Sequence, residues 1–215
     1  MKVSMNNKKT VTHIFSKYAK QYQDKYMNIA MYKTSLNVFC DAINNDTAEI
    51  LELGCGPGNI TQYLLSKNPN YNVFGIDLSE SMIALARINN SNAKFETMDC
   101  RDISQLNLKY DAIMCGFCLP YLSKIETKKL IHDANDLLKP NGVMYISTME
   151  DDYNKSGLQG PSSGGPDKIY IYYHHREYLT QMLNECSFNI IDLSDINNPD
   201  VNRPNGKDIL IIAKK

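Results

Sequence analysis

Three glycines and two carboxylates are the first residues in this chain whose types and spacing could serve chemistry. Gly54, Gly56 and Gly58 alternate with Cys55 and Pro57 directly after the apolar run Glu49-Ile50-Leu51-Glu52-Leu53. Glycines permit a tight turn and let a ligand come close to the backbone. A helix opening at Asn59 would also offer that ligand the unpaired N–H groups of its first turn. Asp77 closes a second apolar run, Asn72 to Ile76, close to the separation at which a carboxylate binds ribose hydroxyls. Glu52 flanks the turn from the strand side.

Two ligand classes fit such a turn, a nicotinamide dinucleotide and S-adenosylmethionine. The dinucleotide fingerprint wants glycine at the third position after Gly56, where Asn59 stands. The third glycine is Gly58 instead, giving Glu-x-Gly-x-Gly-x-Gly from Glu52. S-adenosylmethionine has no pyrophosphate. Its amino acid end needs a site for a carboxylate and something for its ammonium, and a glycine turn beside Glu52 is compatible with both. A glycine-rich strand–helix turn without a ligand is the remaining alternative.

The elements that would position these groups follow from periodicity. Residues 10–45 read as helical, with Ile14, Tyr18, Tyr22, Tyr26 and Ile29 on one face and a second piece from about Ala30 to Ile43. Strands are predicted at Glu49–Leu53, Asn72–Ile76, Lys94–Met98, Asp111–Cys115 and Val143–Thr148. Helices are predicted at Asn59–Lys67, from a Ser79 cap to about Asn89, and at Glu126–Leu138. Glu150 to Asp167 is rich in Gly and Pro and reads as a long loop. A helix around Arg176–Cys186 and strands at Phe188–Ser194 and Asp208–Ala213 complete the chain. This alternation predicts an α/β fold: a doubly wound, seven-stranded, mostly parallel sheet with an antiparallel last strand and helices on both faces. Residues 1–45 would form an N-terminal helical lid over a Rossmann-like domain at 46–215.

With the elements in place, a resemblance emerges. Ile50-Leu51-Glu52-Leu53-Gly54-Cys55-Gly56-Pro57-Gly58 closely resembles motif I of class I S-adenosylmethionine-dependent methyltransferases. Gly75-Ile76-Asp77-Leu78-Ser79 with Met82 resembles their second motif, and Asp99-Cys100 with Asp102-Ile103 their adenine-binding segment. Tyr110 to Cys115 resembles their fourth strand, and Leu137 to Val143 the approach to their fifth. The resemblance implies S-adenosyl-L-methionine as cofactor and a small-molecule methyl acceptor as partner. It implies that Gly54, Gly56 and Gly58 shape the cofactor turn, that Asp77 binds the ribose, and that Leu78 packs on adenine beside Met82. Asp99 would accept from the adenine amino group, the Cys100 backbone would meet the ring, and Cys115 would lie by the methionine portion. The segment Phe15, Ala19, Tyr22 is similar to the helix that lids the cofactor in quinone- and biotin-pathway methyltransferases, so Tyr22 or Tyr18 would bond the amino acid end. An aromatic stripe that merely packs on the domain is the competing reading.

Methyl transfer is an in-line displacement in which the cofactor supplies the electrophile and the protein positions the acceptor. An acceptor of high pKa also needs a base. Pro120 and Tyr121 after strand four, and Tyr170, Tyr172, Tyr173, His174 and His175, are the candidates, with His174 and Tyr121 the catalytic set and a helix-capping or surface histidine the competing reading of His174. Quinone-pathway relatives often carry histidines where Pro120 and Tyr121 align, so a quinone-like acceptor is disfavoured.

Composition narrows the alternatives. The 215 residues suit one domain with a full core, and 23 Lys and Arg against 24 Asp and Glu leave a net charge of −1, with no field to steer nucleic acid. No signal peptide or membrane-spanning run is visible, and six scattered cysteines read as reduced thiols, together predicting a cytoplasmic protein. Cys115-Gly-Phe-Cys118 lacks the two further ligands a zinc site needs, so no metal is expected. Tyr63-x-x-x-Lys67 matches a short-chain dehydrogenase pair but lies in the first helix, where that chemistry has no use for it. A nicotinamide-dependent oxidoreductase and a non-catalytic S-adenosylmethionine-binding module remain the functional alternatives.

Overall fold

The computed structural model describes residues 2–160, 166–198, 203 and 205–215. Its centre is a seven-stranded sheet of β1 (Glu49–Leu53), β2 (Asn72–Asp77), β3 (Lys94–Thr97), β4 (Tyr110–Gly116), β5 (Leu138–Glu150), β8 (Asn189–Asn197) and β9 (Lys207–Lys214), in the order β3-β2-β1-β4-β5-β9-β8. The pairings among β1 to β5 are parallel, while β9 runs antiparallel between β5 and β8. The predicted α/β architecture is therefore the observed one.

Why the strands read as unbroken apolar runs is plain from their packing, because both faces of the sheet are covered. Leu51, Leu53, Ile113, Cys115, Met144, Ile146, Ile209 and Ile211 point to one face, against α6 (Lys124–Leu137) and α7 (Arg176–Glu185). Ile50, Ala112, Met114, Tyr145, Leu210 and Ile212 point to the other, with Leu36 and Phe39 of α3 (Lys33–Ala42) and Leu64 of α4 (Asn59–Lys67). Local signals set the helix ends. Ser79 caps α5 (Glu80–Asn89) by accepting from Met82 N–H, and Ser123 with Glu126 forms a reciprocal capping box at α6.

Three regions depart from the sequence reading. First, the N-terminal helix begins earlier than residue 10: α1 spans Lys2–Lys17, breaks at Tyr18, and is followed by α2 (Ala19–Tyr26). Ile14 is buried with Val11, Ile169, Ile171 and Tyr173, whereas Tyr22 and Tyr26 face a cavity. Second, α3, assigned to the lid by a boundary at residue 45, packs in the sheet's own core. Third, the segment read as a long loop contains β6 (Gly157–Gln159), which pairs antiparallel with β7 (Ile169–Ile171). Part of that segment, residues 161–165, lies outside the described residues, as do 199–202 and 204 in the turn before β9.

Candidate active site

In a doubly wound sheet ligands bind beyond the carboxyl ends of the strands, where the strand order reverses. Here that point is the gap between β1 and β4. A cavity of about 700 Å³ opens there. Its walls come from Gly54 and Gly56 after β1, Asp77 and Leu78 at β2, Asp99 and Cys100 after β3, and Gly116, Phe117 and Cys118 at and after β4. Ser147 of β5 and Asp208 of β9 close the far side. Because β9 runs antiparallel, it is its first turnward residues that reach this end of the sheet.

The glycines earn their place by geometry. Gly54, Gly56 and Gly58 have φ of +61°, +53° and +80°, in the left-handed region that side chains disfavour. A Cβ on Gly54 would lie 2.6 Å from Cys118 Sγ. At Gly58, which lies outside the cavity wall, it would lie 2.3 Å from Asn90 Nδ2, the group that donates to the Gly58 carbonyl. Directly over the turn sits Tyr22, whose Cε1 would be 3.7 Å from a Cβ at Gly56. Tyr22 is braced edge-on by Phe15 at 5.7 Å, and Phe15 meets Tyr121 in the same way at 5.2 Å. Burial pushes the hydroxyls of Tyr22 and Tyr121 far above their ordinary range, so both remain phenols at neutral pH.

Asp77 is the pivot. Its Oδ2 accepts from Gly56 N–H at 3.0 Å and its Oδ1 from Ser79 N–H at 2.8 Å. Burial pushes its carboxyl up to about 6, against the lowering effect of these N–H donors. A carboxylate has about four lone-pair sites. The two named bonds leave room on each oxygen for a hydroxyl of a vicinal diol, so the residues present fit an adenosine ribose. Leu78 and Met82 line the wall beside it.

Other expected site residues stand elsewhere. Glu52 is 1% exposed and absent from the cavity wall; it faces α4, where the Thr61 hydroxyl donates to its Oε2. Burial pushes its carboxyl up to about 8, so it is no counter-ion for a ligand ammonium at neutral pH. Cys115 is fully buried toward α6 and α7, one residue out of phase with the wall; Gly116, Phe117 and Cys118 take the expected place. All six cysteines are free thiols.

His174 also stays out of the cavity. It is fully buried, and its Nε2 donates within 3.1 Å of the carbonyl oxygens of Leu119 and Leu122. Its Nδ1 is buried without a hydrogen-bond partner, and burial lowers its pKa. This geometry gives a neutral imidazole that clamps the Leu119–Tyr121 turn, with no route for a proton from a bound acceptor. Replacing His174 by alanine is expected to cost roughly 2–4 kcal/mol of stability, by leaving a cavity and two orphaned carbonyls. Thermal unfolding should show the loss, while calorimetry should find cofactor affinity unchanged; lost methyl transfer at unchanged stability would restore it as a base.

The sequence reading missed a polar cluster at the far wall. Asp208, fully buried, accepts from Tyr32 Oη at 2.9 Å, Asn198 Nδ2 at 2.6 Å and Arg203 at 3.0 Å. Tyr32 also packs on Phe117, with ring centroids 5.2 Å apart. These residues are separated by up to 176 positions in the chain, and no local pattern links them.

Fold and site together define a Rossmann-like protein with a cavity at the carboxyl ends of β1 and β2, where the glycine turn and Asp77 stand. Residues 50–142 match the family described as a methyltransferase domain. A malonyl-[acyl-carrier protein] O-methyltransferase of Acetivibrio thermocellus is 32% identical over 151 residues, covering 67% of this chain and 50% of the relative. A trans-aconitate 2-methyltransferase of Variovorax paradoxus is 35% identical over 101 residues, covering 47% and 38%. Among solved structures, the 1,6-didemethyltoxoflavin-N1-methyltransferase of Burkholderia thailandensis shares the fold with a TM-score of 0.70 at 18% identity, over 96% of this chain and 87% of that one. The chain spans about half the length of the curated relatives it matches. Over residues 50–142 the chain thus matches a methyltransferase domain, and it shares the Rossmann-like fold of solved methyltransferase structures.

Proposed function

We propose that this protein transfers the methyl group of S-adenosylmethionine to a small-molecule acceptor. The observation that carries this reading is the Asp77 carboxylate, pinned by Gly56 N–H at the mouth of a 700 Å³ cavity with diol-binding capacity to spare. The sulfonium supplies the electrophilic methyl when the cofactor is bound. The chain's own part is to hold the adenosyl group by Asp77 and the glycine turn, and to exclude water with Phe15, Tyr22 and Tyr121. Pockets of roughly 300–1,000 Å³ hold drug-sized ligands, so a cavity of this size shared with the cofactor suits a small acceptor.

The far wall bears on the acceptor's chemistry. Among the described residues no histidine lines the cavity, and burial holds Tyr22, Tyr32 and Tyr121 in their phenol forms. Asp208 is committed to three donors. Such walls favour an acceptor atom that is unprotonated on arrival, as a carboxylate oxygen is at neutral pH. The malonyl and trans-aconitate groups in the names of the two relatives are of this kind. Among the described residues no helix is long and apolar enough to cross a membrane.

Calorimetry with S-adenosylmethionine, S-adenosylhomocysteine and a nicotinamide dinucleotide tests the reading directly. Saturable binding of the first two, and methyl transfer in a screen of carboxylic acids, amines and phenols, is the expected result. Preference for the dinucleotide would overturn it, and binding without transfer to any acceptor would favour a non-catalytic role.

A further inference from the structure

One carboxylate in the cavity is already engaged on both oxygens by the protein itself. Asp99, at the β3 end, is 6% exposed. Its Oδ1 accepts from Arg101 N–H at 3.0 Å and from Arg101 Nε at 2.9 Å, and its Oδ2 accepts from the same Nε at 3.1 Å. Lys8 of α1 places its ammonium 2.6 Å from Oδ2. Three donors make these four contacts, the Arg101 Nε–H being shared between the two oxygens, and both oxygens are engaged. Arg101 is held in turn by Glu126 at 3.0 Å, so its guanidinium is fixed from both sides. Lys8 is the movable partner: its side chain is 44% exposed and it sits on a helix that crosses the cavity.

We propose that Lys8 competes with the adenine amino group for Asp99, so that α1 must give up this ion pair each time the cofactor binds and regains it each time the product leaves. The inference rests on the functional reading above and adds a role for a residue outside every motif of the chain. Other contacts of α1 and its flank include Asn7 Nδ2 to Tyr170 O at 3.4 Å, Ser16 Oγ to Ser79 Oγ at 2.9 Å, Lys17 to Asp167 at 2.7 Å, and the Tyr18 hydroxyl to Asp167 at 2.7 Å. None of them meets Asp99. Lys8 therefore couples the position of α1 to the adenine end of the cavity through this ion pair, and the adenine of S-adenosylhomocysteine faces the same competition as that of S-adenosylmethionine.

The test compares the full chain with its Lys8→Met and Lys8→Gln variants, by S-adenosylhomocysteine calorimetry at low and high salt and by hydrogen exchange of α1 without ligand. An exposed ion pair of this kind is worth a factor of about two to five. Both variants are expected to bind the product two- to fivefold more tightly than the parent at low salt. The parent's affinity should rise with salt as the ion pair is screened, and the variants' should not. Faster exchange in α1 of the ligand-free variants should accompany these changes. Equal or weaker product binding by variants that remain folded would overturn the inference and leave the functional reading standing. No binding by the parent or either variant would overturn both.

Discussion

Asp77→Ala is expected to weaken S-adenosylhomocysteine binding by about 100-fold or more. A hydrogen bond to a charged group contributes about 1.5–3 kcal/mol, and a carboxylate that receives a vicinal diol makes two of them. Losing both would cost about 3–6 kcal/mol, which is a factor of 10² to 10⁴ in affinity. The same residue has an opposite effect on the empty fold. Burial raises its carboxyl from an ordinary value of 3.8 to about 6, so the folded chain binds that proton more tightly than the unfolded one. The resulting penalty is absent below about pH 4, grows between pH 4 and 6, and is complete above about 6. Asp77→Asn removes the charge and keeps a carbonyl oxygen for one backbone donor, but turns its amide N–H toward the other. Without ligand it should therefore melt below the parent at pH 5 and recover most of that difference at pH 8, where the parent carries its burial penalty, while showing the binding defect. Thermal melts at pH 5 and 8 beside calorimetry would separate the two effects. An Asn variant that binds normally would mean that the ribose is held elsewhere.

The second large effect belongs to Glu52. It is buried against α4 with the Thr61 hydroxyl as its partner, and burial raises its carboxyl from an ordinary 4.5 to about 8. The sign is the same as for Asp77, over a wider range. The penalty is absent below about pH 4.5, grows as pH rises, and is complete only above about 8. At 1.36 kcal/mol per pKa unit this amounts to something on the order of 5 kcal/mol between pH 4.5 and 9. Glu52→Gln keeps an oxygen to accept from Thr61 and cannot ionise. It should be close to the parent in stability at pH 5 and clearly more stable at pH 9, as read by urea unfolding at both pH values. Equal slopes with pH for parent and variant would show that Glu52 is solvated in the folded chain. Asp77 contributes to raising Glu52, so the double variant should gain less than the sum of the single ones. Asp99 and Asp111 act oppositely, because Arg101, Lys8 and Lys139 hold their carboxyls below the usual range, so their contribution is lost only as pH falls through the acid region.

Much of the site was legible because its determinants are local. A glycine turn between an apolar run and a helix, a carboxylate ending the next strand, and a serine cap are each written within a few consecutive residues. Gly54, Gly56, Asp77, Leu78 and Met82 accordingly stand around the cavity at the places their order implied. The expectations that did not reach the wall share one physical cause. In a sheet buried on both faces every strand position is apolar, so the run shows no alternation from which to read direction. Glu52 and Cys115 lie in β1 and β4, where a shift of one residue turns a side chain from the cavity end into the packing beneath a helix.

By itself, then, the order of residues determined the α/β class, the antiparallel last strand and the glycine turn at the cavity, since these follow from contacts between near neighbours and from element order. Tertiary structure alone decided that Lys8 meets Asp99, that Tyr32 and Arg203 converge on Asp208, and that His174 clamps a turn instead of facing the cavity. Those pairs are joined by the closure of the whole domain, and their partners depend on how helices and strands settle against one another, which no short window of sequence encodes.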